Sequence, residues 1–395
     1  MVTAARTILI GRALRAFADG YVAVLLPAYL LALGFGQFEV GVLGTVTLAG
    51  SALATIAVGS VGHRWPQRRL LLAAALLMAA TGVGFTGFAS FWPLAIVAFV
   101  GTLNPSSGDV SVFLPLEHAR LATLANGDAR TVLFARYTLT GSLCAAVGAL
   151  ASGVPAWVTV QTGVTLLDAM RAMFVLYGCI GAIIWLLYRS LADRDGETTQ
   201  QSAPLGPSRW TVFKLAALFS IDAFAGGLVV NSLLALWLFD RFGLTLAAAG
   251  AFFFWAGLLT TASQWVAPWV ARRIGLLNTM VLTHVPANVC LILAALAPSL
   301  ELSLALLFVR SALSQMDVPT RTAYVMAVVT PAERAAAASF TAVPRSLASA
   351  ASPALGGALL AAGFLAAPLI LCGSLKIAYD LALLLSFRHH KNHED

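Results

Sequence analysis

ALRAFADGYVAVLLPAYLL at residues 13–31 and AALFSIDAFAGGLVVNSLLALWL at residues 216–238 decide the fold. Each is an apolar run of the length a helix needs to cross the hydrocarbon core of a bilayer, about 20 residues. Each also holds one aspartate, Asp19 or Asp222, at a matched place in its half of the chain. A carboxylate at membrane depth has no water around it and is costly to keep, so both acids are functional candidates.

Composition agrees with a bilayer as the main solvent. Of 395 residues 59% are hydrophobic and 10% charged, whereas a soluble domain carries about 25% charged side chains. The apolar runs do not alternate with polar residues, as the strands of a membrane barrel would. The chain therefore reads as an all-α membrane protein. Hydropathy and helix breakers place twelve transmembrane helices near 11–34, 39–61, 69–90, 93–118, 131–153, 168–189, 211–239, 245–270, 278–297, 301–328, 335–362 and 365–387. The stretch DRDGETTQQSAPLGPS, Asp193 to Ser208, is the one long polar segment and has the composition of a linker. This gives an N-terminal six-helix bundle at 1–192, a cytoplasmic linker at 193–210 and a C-terminal six-helix bundle at 211–395.

Short loops rich in Lys and Arg stay in the cytoplasm. With a cytoplasmic N-terminus, seventeen of the 24 basic residues fall on the inner side, only Arg171 and Arg241 on the outer, and five inside spans. Both termini are therefore expected inside a cell membrane, the inner membrane where a cell has two. The net charge of +7 follows from this asymmetry and does not call for a nucleic-acid partner. The sequence has no zinc-ligand spacing, phosphate-cradling glycine loop or nucleotide motif, so neither a cofactor nor ATP is expected. Cys144, Cys179, Cys290 and Cys372 are scattered through apolar runs and read as packing. The opening MVTAARTILIGRALRAFADG reads as a first span rather than a removable signal. A membrane enzyme would gather nucleophile, acid and base at one depth, and no such cluster is visible, so no enzyme is expected.

The halves repeat one another. ADGYVAVLLPAYLLALGFG aligns with IDAFAGGLVVNSLLALWLF, and GHRWPQRR with ARRIGLLN as short basic turns. SGDVSVFLPLEHAR and QMDVPTRTAY each combine an aspartate, a proline and an arginine. ARYTLTGSL and PRSLASA place Arg136 and Arg345 at similar points of the fifth and eleventh spans. The loop after the second span, Gly59-Ser60-Val61-Gly62-His63-Arg64-Trp65-Pro66-Gln67-Arg68-Arg69, resembles the signature loop of the major facilitator superfamily. Gly59, Arg64 and the basic pair fit the signature, while His63 stands where the family has an acid and Pro66 where it has a second glycine.

The resemblance implies two pseudo-symmetric six-helix bundles around a central cavity that opens to one side and then the other, as a secondary transporter working by alternating access. In the family the first, fourth, seventh and tenth spans line the cavity. Here those spans carry Asp19, Asp109, Asp222, Asn231, Arg310, Asp317 and Arg321. Gly59, His63 and Arg64 are the implied gating residues. With the acid replaced, Glu117 and Arg120 facing Arg130 or Arg136 are a substitute lock, and a solvated helix end with an ordinary ion pair is the other reading of PLEHAR. Arg15 with Asp19, Asp317 with Arg321, and Lys376 with Asp380 are each four residues apart, the spacing of a local ion pair on one helical face. The small residues Ala18, Gly20, Ala223, Gly226 and Gly227 either leave room for ligand beside the acids or let helices approach closely.

Two substrate readings stand. A buried aspartate that binds a proton and an organic cation in turn makes an obligatory antiporter, and an efflux carrier of small organic molecules is the first reading. Arg136, Arg310, Arg321 and Arg345 in the spans suit carboxylate or phosphate, which makes a carrier of organic anions or phosphate esters the second. Five span acids face five span bases, so charge alone does not choose. The expected partners are a small-molecule substrate, protons and the lipid bilayer, with the chain acting as a monomer.

Overall fold

The structure, a computed structural model, describes residues 2–61, 64–106, 111–124, 127–191, 206–330 and 333–387. The first six spans are α1 (Val2–Ala32), α2 (Gln37–Val61), α3 (Gln67–Gly87), α4 (Phe91–Val100) with α5 (Phe113–Ala122), α6 (Gly127–Ala151) followed by α7 (Val154–Thr162), and α8 (Leu166–Arg189). The second six are α9 (Arg209–Gly227) with α10 (Asn231–Phe242), α11 (Leu246–Ile274), α12 (Leu276–Leu296), α13 (Leu300–Leu313) with α14 (Asp317–Val328), α15 (Arg334–Ala351) with α16 (Pro353–Ala361), and α17 (Ala367–Phe387). The described residues hold no strand, and each of the twelve expected spans is helical. The chain is a multi-pass all-α membrane protein.

The expected spans are interrupted where the backbone chemistry demands it. The fourth stops at Gly101 ahead of Asn104-Pro105, because proline pushes the residue before it out of the helical region. The seventh stops at Gly226-Gly227 and restarts after an extended Val230. The tenth breaks at 314–316 and resumes with Pro319 in the first turn of α14, where a missing N–H costs nothing. The fifth runs past its expected end at 153, because Pro155 starts α7 and Gly163, at φ 71°, supplies its left-handed end.

Two compact units form. One comprises residues 1–199 and 230–254, the other residues 200–229 and 255–395. Within the first, α1 lies on α6 with almost no side-chain spacer. A Cβ on Gly20 would stand 2.1 Å from the Ala145 carbonyl oxygen, and one on Gly148 would stand 2.0 Å from that of Phe17. Gly20 beside Asp19 therefore serves helix contact. G20A is expected to cost about 1–3 kcal/mol by forcing the helices apart, read as a lower melting temperature in detergent. Also within this unit α10 packs on α1 and α2, and the Ser232 amide donates to the Pro105 carbonyl at 3.1 Å.

Within the second unit, Glu333 fastens the start of α9. Its carboxylate accepts from the Gly206 amide, from the Ser208 amide at 3.4 Å and from the Thr330 hydroxyl at 2.6 Å. The hydrogen bonds from Thr330, then Ser208 and Gly206, pull its carboxyl down to about 2. An unfolded Glu titrates near 4.3, so the contribution of Glu333 is complete above that pH and is lost as pH falls toward 2. Melting curves of the parent and Glu333→Gln should therefore differ at neutral pH and converge in acid.

Candidate functional site

In the first unit, the best-defined constellation centres on Glu117 of α5, whose side chain is 0% exposed. Arg15 of α1 reaches it with two parallel hydrogen bonds, Nη1 to Oε1 at 2.5 Å and Nη2 to Oε2 at 2.8 Å. The hydroxyls of Tyr137 on α6 and Tyr188 on α8 donate to its two oxygens. Phe113 lies under the Arg15 guanidinium, 4.4 Å from its ring centre. Four helices of this unit are thus tied at one buried carboxylate. A bidentate Arg–carboxylate pair with every remaining lone pair engaged is the arrangement that makes such burial tolerable.

This corrects three expectations. PLEHAR is not a solvated helix end, since Glu117 and Arg120 are both buried. The partner of Glu117 is Arg15 rather than Arg130 or Arg136, and Arg130 instead donates to the Ala122 carbonyl at the end of α5, at 3.0 Å. Arg15, in turn, gives its guanidinium to Glu117 rather than to Asp19 one turn along α1. Asp19 is buried in α1. Arg136 is exposed on α6, and Asn231 is half-buried at the first turn of α10. Gly59 and Arg64 are exposed, and among the described residues a Cβ on Gly59 would meet nothing within 4 Å. His63 and Asp109 lie outside the described residues.

In the second unit, Asp222 of α9 is 4% exposed and is clasped from two sides. Arg321 of α14 donates from Nη1 to Oδ2 at 3.1 Å, and Lys376 of α17 donates to Oδ1. Arg321 also pairs with Asp317 at 3.1 Å, as the four-residue spacing predicts. The expected pair of Lys376 with Asp380 does not form. Lys376 turns to Asp222, and Asp380 meets Nδ1 of His284 on α12 at 2.9 Å. The stem of Lys376 passes 3.7 Å from where a Cβ on Gly226 would sit, so that small residue makes room beside an acid. Its neighbour Gly227 packs against the Ser349 backbone.

Beside this network, a cleft of about 150 Å³ is lined by Phe219, Arg321, Val325, Met326, Thr341 and Arg345, among others. Arg345 of α15 is exposed there, and among the described residues it forms no ion pair. Arg321 stacks over the Phe219 ring at 5.6 Å. Arg310 of α13 is half-buried, with its Nε lacking a hydrogen-bond partner among the described residues. Thus Asp222, Asp317 and Arg321 come together with Arg345 nearby, while Asp19, Arg136 and Asn231 stand elsewhere in the other unit. Tyr137, Tyr188, Lys376 and His284 complete the two networks; the sequence suggested Tyr137 only as a hydrogen-bonding edge for a ligand, and gave Tyr188, Lys376 and His284 no functional role. His284 carried a usable signal, being an ionisable side chain inside the apolar run VLTHVPANV.

Twelve helical spans and buried ionic networks are the architecture of a multi-pass membrane protein with charges held at membrane depth. A model of the Major Facilitator Superfamily matches residues 8–314, and the chain belongs to that superfamily. An uncharacterized membrane protein of Saccharomyces cerevisiae, YJR124C, is 25% identical over 95% of this chain and 92% of its own length. Among solved structures, the nucleoside transporter NupG superposes with a TM-score of 0.74 at 15% identity, over 98% of this chain and 99% of that one. A bacterial homologue of the iron transporter ferroportin, in an inward-facing state, does so with a TM-score of 0.74 at 13% identity, over 98% of each chain.

Proposed function

We propose that the chain is a proton-driven secondary transporter of small organic anions, a carboxylate or phosphate ester with an apolar portion. The observation that carries this reading is Arg345, exposed in the cleft beside Arg321 and without an ion pair among the described residues. Two guanidinium groups offer the planar donor pairs that bind a carboxylate or phosphate. Phe219, Val325 and Met326 supply apolar surface for the rest of the solute.

A cationic substrate has less support. Both oxygens of Asp222 are taken by Lys376 and Arg321, so a cation would have to displace a bonded ammonium or guanidinium. The charge distribution along the sequence supports a cell-membrane location with both termini cytoplasmic. In liposomes carrying the purified protein, labelled organic anions are expected to exchange against their own unlabelled pool, whereas organic cations are not. Arg345→Gln should weaken that exchange, chiefly by raising the half-saturating concentration. Cation exchange, or anion exchange indifferent to Arg345, would reject the reading.

A further inference from the structure

Lys376 and Asp380 stand one turn apart on α17, yet each is paired with a different helix. Lys376 holds Asp222 on α9, and Asp380 holds His284 on α12, with its two oxygens 2.9 and 3.0 Å from Nδ1. The surrounding charges make these two pairs unequal. Asp222 and Asp317 are offset by two basic side chains, Lys376 and Arg321. Asp380, 0% exposed, has only an imidazole, the side chain whose ordinary titration falls between pH 5 and 8.

The pair is neutral while imidazolium faces carboxylate. When a proton leaves Nε2, Nδ1–H still donates to Asp380, but the carboxylate charge is buried without a balancing cation. Burial of that kind is costly, and the nearest cation able to answer it is Lys376, on the same face of the same helix. The charged and titratable groups on the elements packed around the pair are few. They are Lys376, Cys372 and Tyr379 on α17, Cys290 on α12, Arg209, Lys214 and Asp222 on α9, Glu301 and Arg310 on α13, and Asp317, Arg321 and Tyr324 on α14, while α16 carries none. Tyr379 sets its ring edge-on to His284 at 6.3 Å.

We infer that His284 and Asp380 form the proton-binding site of the transport cycle, with Lys376 as the element that reports its occupancy to the anion cleft. With the proton bound, Lys376 stays on Asp222, and Arg321 is left more open to a substrate anion. With the proton gone, Lys376 moves to Asp380, and Asp222 closes fully on Arg321, which weakens the cleft for anions. Proton and anion therefore bind and leave together. An inward proton gradient then drives uptake, the opposite direction to the export expected from the buried acids alone.

The inference rests on the organic-anion reading, and one experiment separates the two. Proteoliposomes are assayed for anion exchange at equal pH and for net accumulation under a one-unit pH gradient, acid outside. The parent should concentrate the anion by up to about tenfold, the ratio one proton per anion allows. In Asp380→Asn, which leaves no carboxylate for Lys376 to move to and so keeps it on Asp222, the accumulation ratio should collapse to unity while exchange is retained, and the pH dependence of exchange should flatten. His284→Gln, which leaves Asp380 charged at every pH and so draws Lys376 from Asp222, should also abolish accumulation, with exchange shifted to a higher half-saturating concentration. Accumulation in either variant at the parent's level overturns the inference, as does a parent that exchanges anions but ignores the gradient. A parent with no anion exchange overturns the organic-anion reading itself, and the inference with it.

Discussion

Glu117→Gln is expected to destabilise the first unit by about 3–5 kcal/mol, the cost of leaving one member of a buried ion pair uncompensated. The amide keeps the shape of the side chain but removes the charge that Arg15, 1% exposed, depends on. It also replaces an acceptor of two tyrosine hydroxyls with a group that has a single acceptor oxygen. In detergent the variant should melt well below the parent or fail to emerge as a monodisperse peak. The double variant Arg15→Met, Glu117→Leu should recover most of the loss, since apolar side chains of similar volume commonly replace a buried pair without penalty. A single variant as stable as the parent would show that the carboxylate is not the fastening of α1, α5, α6 and α8.

Asp222→Asn is expected to have the second largest effect, because it strips the shared counter-charge from both Lys376 and Arg321. Two cations would then face each other in a buried site, with Asp317 left to Arg321 and Asp380 already held by His284. Stability should fall by about 3–5 kcal/mol, and net transport should cease. Adding Lys376→Met removes one cation and should restore the melting temperature, although it should not restore accumulation coupled to protons. A double variant no more stable than Asp222→Asn would mean that Lys376 is not the partner of Asp222.

The sequence was legible where physics leaves few options. Twenty-residue apolar runs must be helices, and prolines and paired glycines set their breaks, so the twelve spans could be read with only the interruptions and α7 to add. Local spacing also read Asp317 with Arg321 correctly. The same rule failed for Arg15 with Asp19 and for Lys376 with Asp380. A four-residue spacing states which side chains share a face but not what faces them from another helix. Glu117 lies 102 residues from Arg15, and Lys376 lies 154 from Asp222. No local pattern encodes such distances, and only the packing of helices within each unit supplies the better partner. Arg345 illustrates the reverse case, because its position in an apolar span is plain in the sequence while its lack of an ion pair among the described residues is a property of the fold.

In the proposed transport cycle Arg345 and Arg321 receive the anionic group of the solute. A structure of the purified protein with a transported organic anion bound tests it most directly. Density for the carboxylate or phosphate is expected within hydrogen-bond distance of the Arg345 guanidinium, with the apolar portion against Phe219. An anion bound away from Arg345, with that side chain turned to lipid, would contradict it.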